Sequence, residues 1–270
     1  MNEVISHLSL VLALTGYSIS SGMFLHAFPQ PVKRQRTQKA AFRLFSLSTV
    51  MVATALSLSL IGEYYSQTSG LILITVISAL TIFSHVKYKI KLIGIFVAPL
   101  ATLVLIFLAF QYHTKVEHIS DAPPDTLLTL HIVVAILGQS FAILAFAISS
   151  LYLFQQRALK KKQFNFITSA TPPLNKLEKA LMMSLWLGFS CLSLSLLTGA
   201  IYYGFFSPTP MVGKTWKITW AVSVWVWYLA ILLAKNVFTQ SGRTISRMSL
   251  IGFLLLFITF FGLTNWGALA

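Results

Sequence analysis

Long apolar runs alternate with short polar connections along this chain. The runs fall at residues 6–28, 40–64, 69–86, 90–112, 127–155, 178–206, 217–238 and 246–266. Each is mostly Leu, Ile, Val, Phe, Ala, Ser and Gly, and each approaches the about 20 residues that an α-helix needs to cross a bilayer. A helix satisfies its backbone hydrogen bonds within the segment, so runs of this kind predict transmembrane helices. The alternating polar and apolar positions of an outer-membrane barrel are absent. The predicted fold class is all-α: a polytopic membrane protein with eight transmembrane helices.

The two longest connections are 113–126 and 156–177. Asp121-Ala-Pro-Pro-Asp125 interrupts helix in the first, and Thr171-Pro-Pro-Leu-Asn-Lys-Leu-Glu178 forms a turn leading into a helix in the second. The predicted organisation is an N-terminal four-helix region with its outer loop, 1–126, and a C-terminal four-helix region, 127–270. No internal repeat is evident, which weakens a transporter built from inverted halves.

Composition strengthens this picture. Of the 270 residues, 56% are hydrophobic and only 10% charged. A soluble domain carries about 25% charged residues, so a water-wetted enzyme, a disordered chain and a disulfide scaffold are excluded. The net charge of +14 would suggest nucleic acid in a soluble protein, but here it has a topological reading. Seventeen of the twenty basic residues fall in alternate connections: around 29–43, 86–91, 156–179 and 235–247. Only Lys115, Lys214 and Lys217 fall on the other side. The positive-inside rule makes the first set cytoplasmic and places both termini outside. No nucleic-acid partner is expected; the bilayer is. Met1-Asn2-Glu3 has no basic segment before its apolar run, which predicts a retained first span rather than a cleaved signal. The single cysteine, Cys191, offers neither an internal disulfide nor a CxxC motif.

Candidate chemistry is sparse. No span carries Asp or Glu at its middle, so there is no proton relay or cation site of the usual kind. GxxxxGK[ST], HExxH and GxSxG are absent, so no enzymatic activity is expected. Among six histidines, His26 and His85 fall at the cytoplasmic ends of the first and third spans, whereas His131 lies a few residues inside the fifth, in Leu130-His-Ile-Val-Val-Ala-Ile-Leu137, on the predicted outer half. A neutral imidazole there either packs against a neighbouring hydroxyl or offers its second nitrogen to a metal such as haem iron. His7 lies at the same predicted depth and could pair with it. His113 and His118 are loop residues, with solvated roles favoured. Trp216, Trp220, Trp225 and Trp227 lie within twelve residues, near Tyr202, Tyr203 and Tyr228. An interfacial aromatic belt accounts for Trp216 and the tyrosine pair. Trp225 and Trp227 lie too deep for it. The alternative is an aromatic surface on which a flat apolar ligand could stack.

From Leu130 to Gly262 an ordered series of patterns resembles a known family. The series runs through Leu130-His131 and its basic exit Gln155-Gln-Arg-Ala-Leu-Lys-Lys-Lys162. Pro172-Pro-Leu-Asn-Lys-Leu-Glu178 follows, then the Gly-rich run Leu187-Gly188 to Thr198-Gly-Ala-Ile201. Trp225-Val-Trp-Tyr228, Ser241-Gly-Arg243, Ile251-Gly-Phe253 and Phe260-Phe-Gly262 complete it. The stretch resembles the cytochrome c assembly protein family, membrane haem-handling proteins of the CcsA and HemX type, and looks closest to the short inner-membrane YpjD-like branch. The resemblance implies haem at the outer face beneath a tryptophan-rich loop, held by histidines. Only His131 carries over. The aspartate of the family's Trp-x-Trp-Asp core is replaced by Thr215, its second haem-side histidine falls at Leu233, and a final histidine after the last span is missing.

The resulting expectation is a bacterial inner-membrane, multi-pass, non-enzymatic haem-handling protein. His131 would be the axial ligand, His7 and His113 candidate second ligands, and Trp216, Trp220 and Tyr202 the stacking surface. Cytochrome c maturation proteins or other membrane proteins would be its partners. A regulatory or accessory subunit that kept the scaffold without haem is the alternative. A small-solute transporter is the third reading.

Overall fold

The structure, a computed structural model, describes residues 2–27, 34–61, 68–111, 126–162, 172–206 and 215–266. Eight α-helices follow one another without a strand among the described residues: α1 (Asn2–Ala27), α2 (Arg34–Ile61), α3 (Thr68–Lys87), α4 (Gly94–Gln111), α5 (Thr126–Lys160), α6 (Leu174–Ile201), α7 (Thr215–Asn236) and α8 (Gly242–Trp266). A π-helical turn, Tyr202–Phe206, extends α6. Among the described residues six of these helices, α1, α2, α3, α5, α6 and α7, are long and apolar enough to cross a membrane, and α4 adds the shorter apolar stretch Gly94–Ala109. The all-α, multi-pass membrane architecture expected from the apolar runs is therefore present.

Boundaries differ from the apolar runs where local chemistry intervenes. The run at 90–112 becomes helical only at Gly94. Lys89 adopts a left-handed conformation with φ 56°, and tight turns close through Ile90 O···Ile93 N (3.4 Å) and Leu92 O···Ile95 N (3.2 Å). Apolar residues therefore continue through a segment whose backbone is still turning. Pro173 caps the N-terminus of α6 with φ −52° and ψ 147°, as the Pro-Pro turn requires. Proline lacks the N–H that the first helical turn could not use.

The chain forms two compact units. The first comprises residues 1–122 and 158–172, the second residues 123–157 and 173–270. In the first, α1 packs on α2 and α4, α2 on α3, and α3 on α4. The α1–α2 seam follows a repeat of alternating three- and four-residue steps. Ala13, Tyr17, Ser20, Phe24 and Ala27 on α1, and Ala41, Phe45, Ser48, Val52, Ala55 and Ser59 on α2, are all buried. This spacing keeps one stripe of each helix facing its partner. Many members are small, which suits helices in lipid: without a hydrophobic force between them, close packing holds them together. Ser48 fills the space a Cβ on Gly16 would need, and the Phe24 ring lies 2.6 Å from a Cβ built on Gly94.

Tyr17 ties three helices of this unit together. Its hydroxyl lies 3.0 Å from Thr49 Oγ1 on α2 and 2.9 Å from Ser78 Oγ on α3, and its ring meets Phe45 edge-on at 5.2 Å. Tyr17→Phe keeps the ring and removes the hydroxyl. Thr49 also donates to Phe45 O at 2.9 Å, so Ser78 loses most. A loss of about 1 kcal/mol is expected, as for interhelical hydrogen bonds in bundles. Thermal unfolding in detergent should show a lower midpoint with an unchanged helical spectrum.

In the second unit, glycines let α5 and α6 approach almost backbone to backbone. A Cβ on Gly138 would lie 3.2 Å from the Leu192 backbone nitrogen, and one on Gly188 would lie 3.5 Å from Gly138 O. α5 stacks Phe146 on Phe253 of α8, centroids 4.1 Å apart. Lys235 of α7 pairs with Glu178 of α6. A Cβ on Gly242, at the start of α8, would fall 2.6 Å from both Glu178 Oε2 and Tyr152 Oη.

Candidate functional site

His131 sits in the second turn of α5. Its neighbours across the seam are small because α6 repeats them on one face: Gly188, Ser195 and Gly199, with Leu192 between. The imidazole lies flat enough on α6 that a Cβ on Gly199 would come within 2.8 Å of His131 Cε1 and 2.9 Å of Nδ1. Only glycine leaves room there. His131 Nδ1 stands 2.8 Å from Ser195 O.

A carbonyl can only accept, so Nδ1 carries the proton in that bond. The other ring nitrogen, Nε2, is then unprotonated and holds a lone pair. Nε2 has no hydrogen-bond partner among the described residues. Ser195 Oγ adds a second, longer approach to Nδ1 at 3.2 Å and reaches His131 O at 3.5 Å. Thr198 Oγ1 lies 3.0 Å from the same Ser195 carbonyl and 2.9 Å from Leu194 O, its single proton shared between them. Orientation of a histidine by one nitrogen so that the other meets a metal is the usual arrangement around histidine ligands.

The surroundings are apolar and open on one side. His131 is half-buried, while Leu130, Ile132 and Val133 beside it are 45%, 39% and 38% exposed. Tyr202 stands three residues beyond Gly199, at the start of the π-helical turn, and meets Tyr203 edge-on with ring centroids 5.1 Å apart. A lone pair fixed in direction beside an apolar exposed surface fits a planar, iron-bearing porphyrin.

The remaining sequence-predicted residues fall as follows. Trp220 lies on α7, its indole N–H donating to Leu255 O of α8 at 3.3 Å. Trp216 lies in the first turn of α7. His7 lies on α1, in the first compact unit, whereas His131 belongs to the second. His113 and His118 lie outside the described residues.

The two deep tryptophans have a packing explanation. Trp225 donates to Ser193 Oγ of α6 at 2.8 Å and stacks on Phe189, centroids 5.5 Å apart. Trp227 donates to Met248 O at 3.0 Å. Trp220 and Trp227, seven residues apart, thus attach one face of α7 to α8, and Trp225 attaches another to α6. In lipid an indole N–H needs such a partner, because no water competes for it.

Sequence reasoning did not single out Ser195 and Gly199. A signal was present: the small residues at 188, 195 and 199 recur on one helix face opposite Gly138. The acceptor itself is a main-chain atom, which no residue type announces.

Residues 65–269 match the family described as Cytochrome C assembly protein. The match begins well before the Leu130–Gly262 stretch whose patterns carry the resemblance, and it takes in α3 and α4 of the first unit. No curated protein matches the chain. With a match over most of its length, the chain belongs to the cytochrome c assembly protein family.

Proposed function

We propose that this protein binds haem at the His131 site and handles it during cytochrome c assembly. The observation that carries the reading is the 2.8 Å bond between His131 Nδ1 and Ser195 O, which leaves Nε2 as an available donor. His131 would hold the iron, and Tyr202 at the end of α6 would flank the ring. Trp216 and Trp220 at the start of α7 are the further stacking candidates. Haem, when bound, supplies a redox-active iron and a large apolar plane. The chain's own residues would orient the imidazole, keep its proton on Nδ1 and present an apolar wall. The role is binding and transfer, without a catalytic group.

The proposed setting is a bacterial inner membrane crossed eight times, with both termini outside. The basic connections support this through the positive-inside rule. His131 then lies in the outer half of α5, and the partners are other membrane proteins of cytochrome c maturation. A scaffold that has lost haem is the second reading. Thr215 and Leu233, standing where the resemblance leads one to expect aspartate and histidine, favour it.

The absorption spectrum of detergent-purified protein, expressed with haem supplementation, decides between them. A Soret band with reducible α and β bands supports haem binding. A colourless protein that takes up no added haem overturns it.

A further inference from the structure

The first compact unit holds a basic cavity that the haem reading leaves unused. It lies where the N-terminal half of α2, the C-terminus of α3 and the turn before α4 meet. Its volume is about 300 Å³, and it is lined by Gln38, Lys39, Phe42, Arg43, His85 and Lys91. Three of these six residues are cations. Among the described residues none of the three forms an ion pair.

Two further groups in the lining lack partners. Gln38 is 8% exposed, and its Nε2 is buried without a hydrogen bond; so is His85 Nδ1. The His85 ring is held by stacking on Phe42, with centroids 3.7 Å apart and planes 14° from parallel. Buried polar nitrogens are normally satisfied, and leaving one unsatisfied costs about 1–3 kcal/mol. An amide –NH₂ can only donate. Gln38 Nε2, set among three cations, therefore asks for an acceptor bearing negative charge.

We propose that this cavity binds a phosphoryl oxyanion, carried by an anionic phospholipid headgroup or by free phosphate. Arg43 offers a planar fork that grips phosphate oxygens in pairs, while Lys39 and Lys91 act as point charges. Gln38 Nε2 donates to a further oxygen, and so does His85 through its Nδ1–H tautomer. Basic pockets between transmembrane helices are where anionic headgroups bind in general. The site is separate from His131 in residues and in chemistry, and it does not depend on haem.

The test uses full-length, delipidated protein in neutral detergent. Thermal stability is followed while inorganic phosphate, phosphatidylglycerol or phosphatidylcholine is added, and native mass spectrometry counts retained lipid. Wild type is compared with Arg43→Gln/Lys91→Gln, with Gln38→Leu, and with Arg247→Gln as a basic residue outside the cavity. Phosphatidylglycerol should stabilise wild type and Arg247→Gln, and phosphatidylcholine should not. The double variant should bind at least about tenfold more weakly, the equivalent of one charge-assisted hydrogen bond. Gln38→Leu keeps every charge and fills the cavity with an apolar side chain, so it should weaken binding without lowering the stability of the lipid-free protein. Stabilisation by phosphate alone, lost in the double variant, assigns the site to a free anion. Stabilisation by phosphatidylglycerol alone assigns it to a headgroup. No stabilisation by either, or equal stabilisation of wild type and double variant, overturns the proposal.

Discussion

His131→Ala should abolish the Soret band of the purified protein while leaving its helical content and detergent stability close to wild type. The reasoning runs from geometry. The imidazole is half-buried beside exposed leucine, isoleucine and valine, so its removal leaves a shallow recess rather than a sealed cavity. The iron, however, loses its ligand. Residues that merely orient a metal-bound histidine are worth about 10–100-fold in affinity, and loss of the ligand itself should exceed that. His131→Gly with added imidazole provides the complementary measurement. Free imidazole can occupy the vacated space against Gly199, and partial recovery of the band would tie the signal to a nitrogen at this position. If His131→Ala retained an unaltered Soret band, the iron would be held elsewhere in the chain.

The second large effect is expected from one added methyl group. Gly199→Ala places a Cβ 2.8 Å from His131 Cε1 and 2.9 Å from Nδ1. Real Cβ contacts do not come so close, so either the ring or the α5–α6 seam must move. The ring cannot retreat along its own plane without lengthening the 2.8 Å bond to Ser195 O. A displaced ring loses its fixed tautomer and the aim of Nε2. Overpacking of this kind costs about 1–3 kcal/mol of stability, and haem affinity should fall about 10–100-fold, as when an orienting partner is lost. Gly22→Ala is the control: no atom lies within 4 Å of a Cβ there, and alanine favours helix over glycine. A Gly199→Ala protein with the spectrum, affinity and melting midpoint of wild type would sink the proposed packing of the imidazole on α6.

The apolar runs located the eight helices among the described residues, six of which are long and apolar enough to cross a membrane. Pro172 and Pro173 marked the turn before α6 for a reason visible in the letters, namely the missing N–H, but the helix begins at Leu174, ahead of the expected 178. The start of α4 was not legible. Ile90, Leu92 and Ile93 read as span, but Lys89 turns the backbone into the left-handed region and delays the helix to Gly94. His131 stood out as a polar residue in an apolar context. Its partner did not, because every residue carries a carbonyl and only the α5–α6 crossing selects that of Ser195. The basic cavity was equally hidden. Arg43 and Lys91 counted only among the basic residues of the connections, and contacts more than forty positions apart in sequence bring them to one wall with Gln38 and His85. Trp225 and Trp227 were recognisable as too deep for an interfacial belt, but Ser193 and Met248 O were needed to say why.

The partner that aims His131 is a piece of peptide bond and not a side chain. Codon changes at position 195 therefore leave the acceptor intact, whereas those at 131 and 199 do not. A saturation library scored for pigmentation would then show a lopsided profile: intolerant at the histidine and the glycine, permissive toward small residues at the serine between them. Genetic drift could rewrite the letter beneath that bond many times without breaking it.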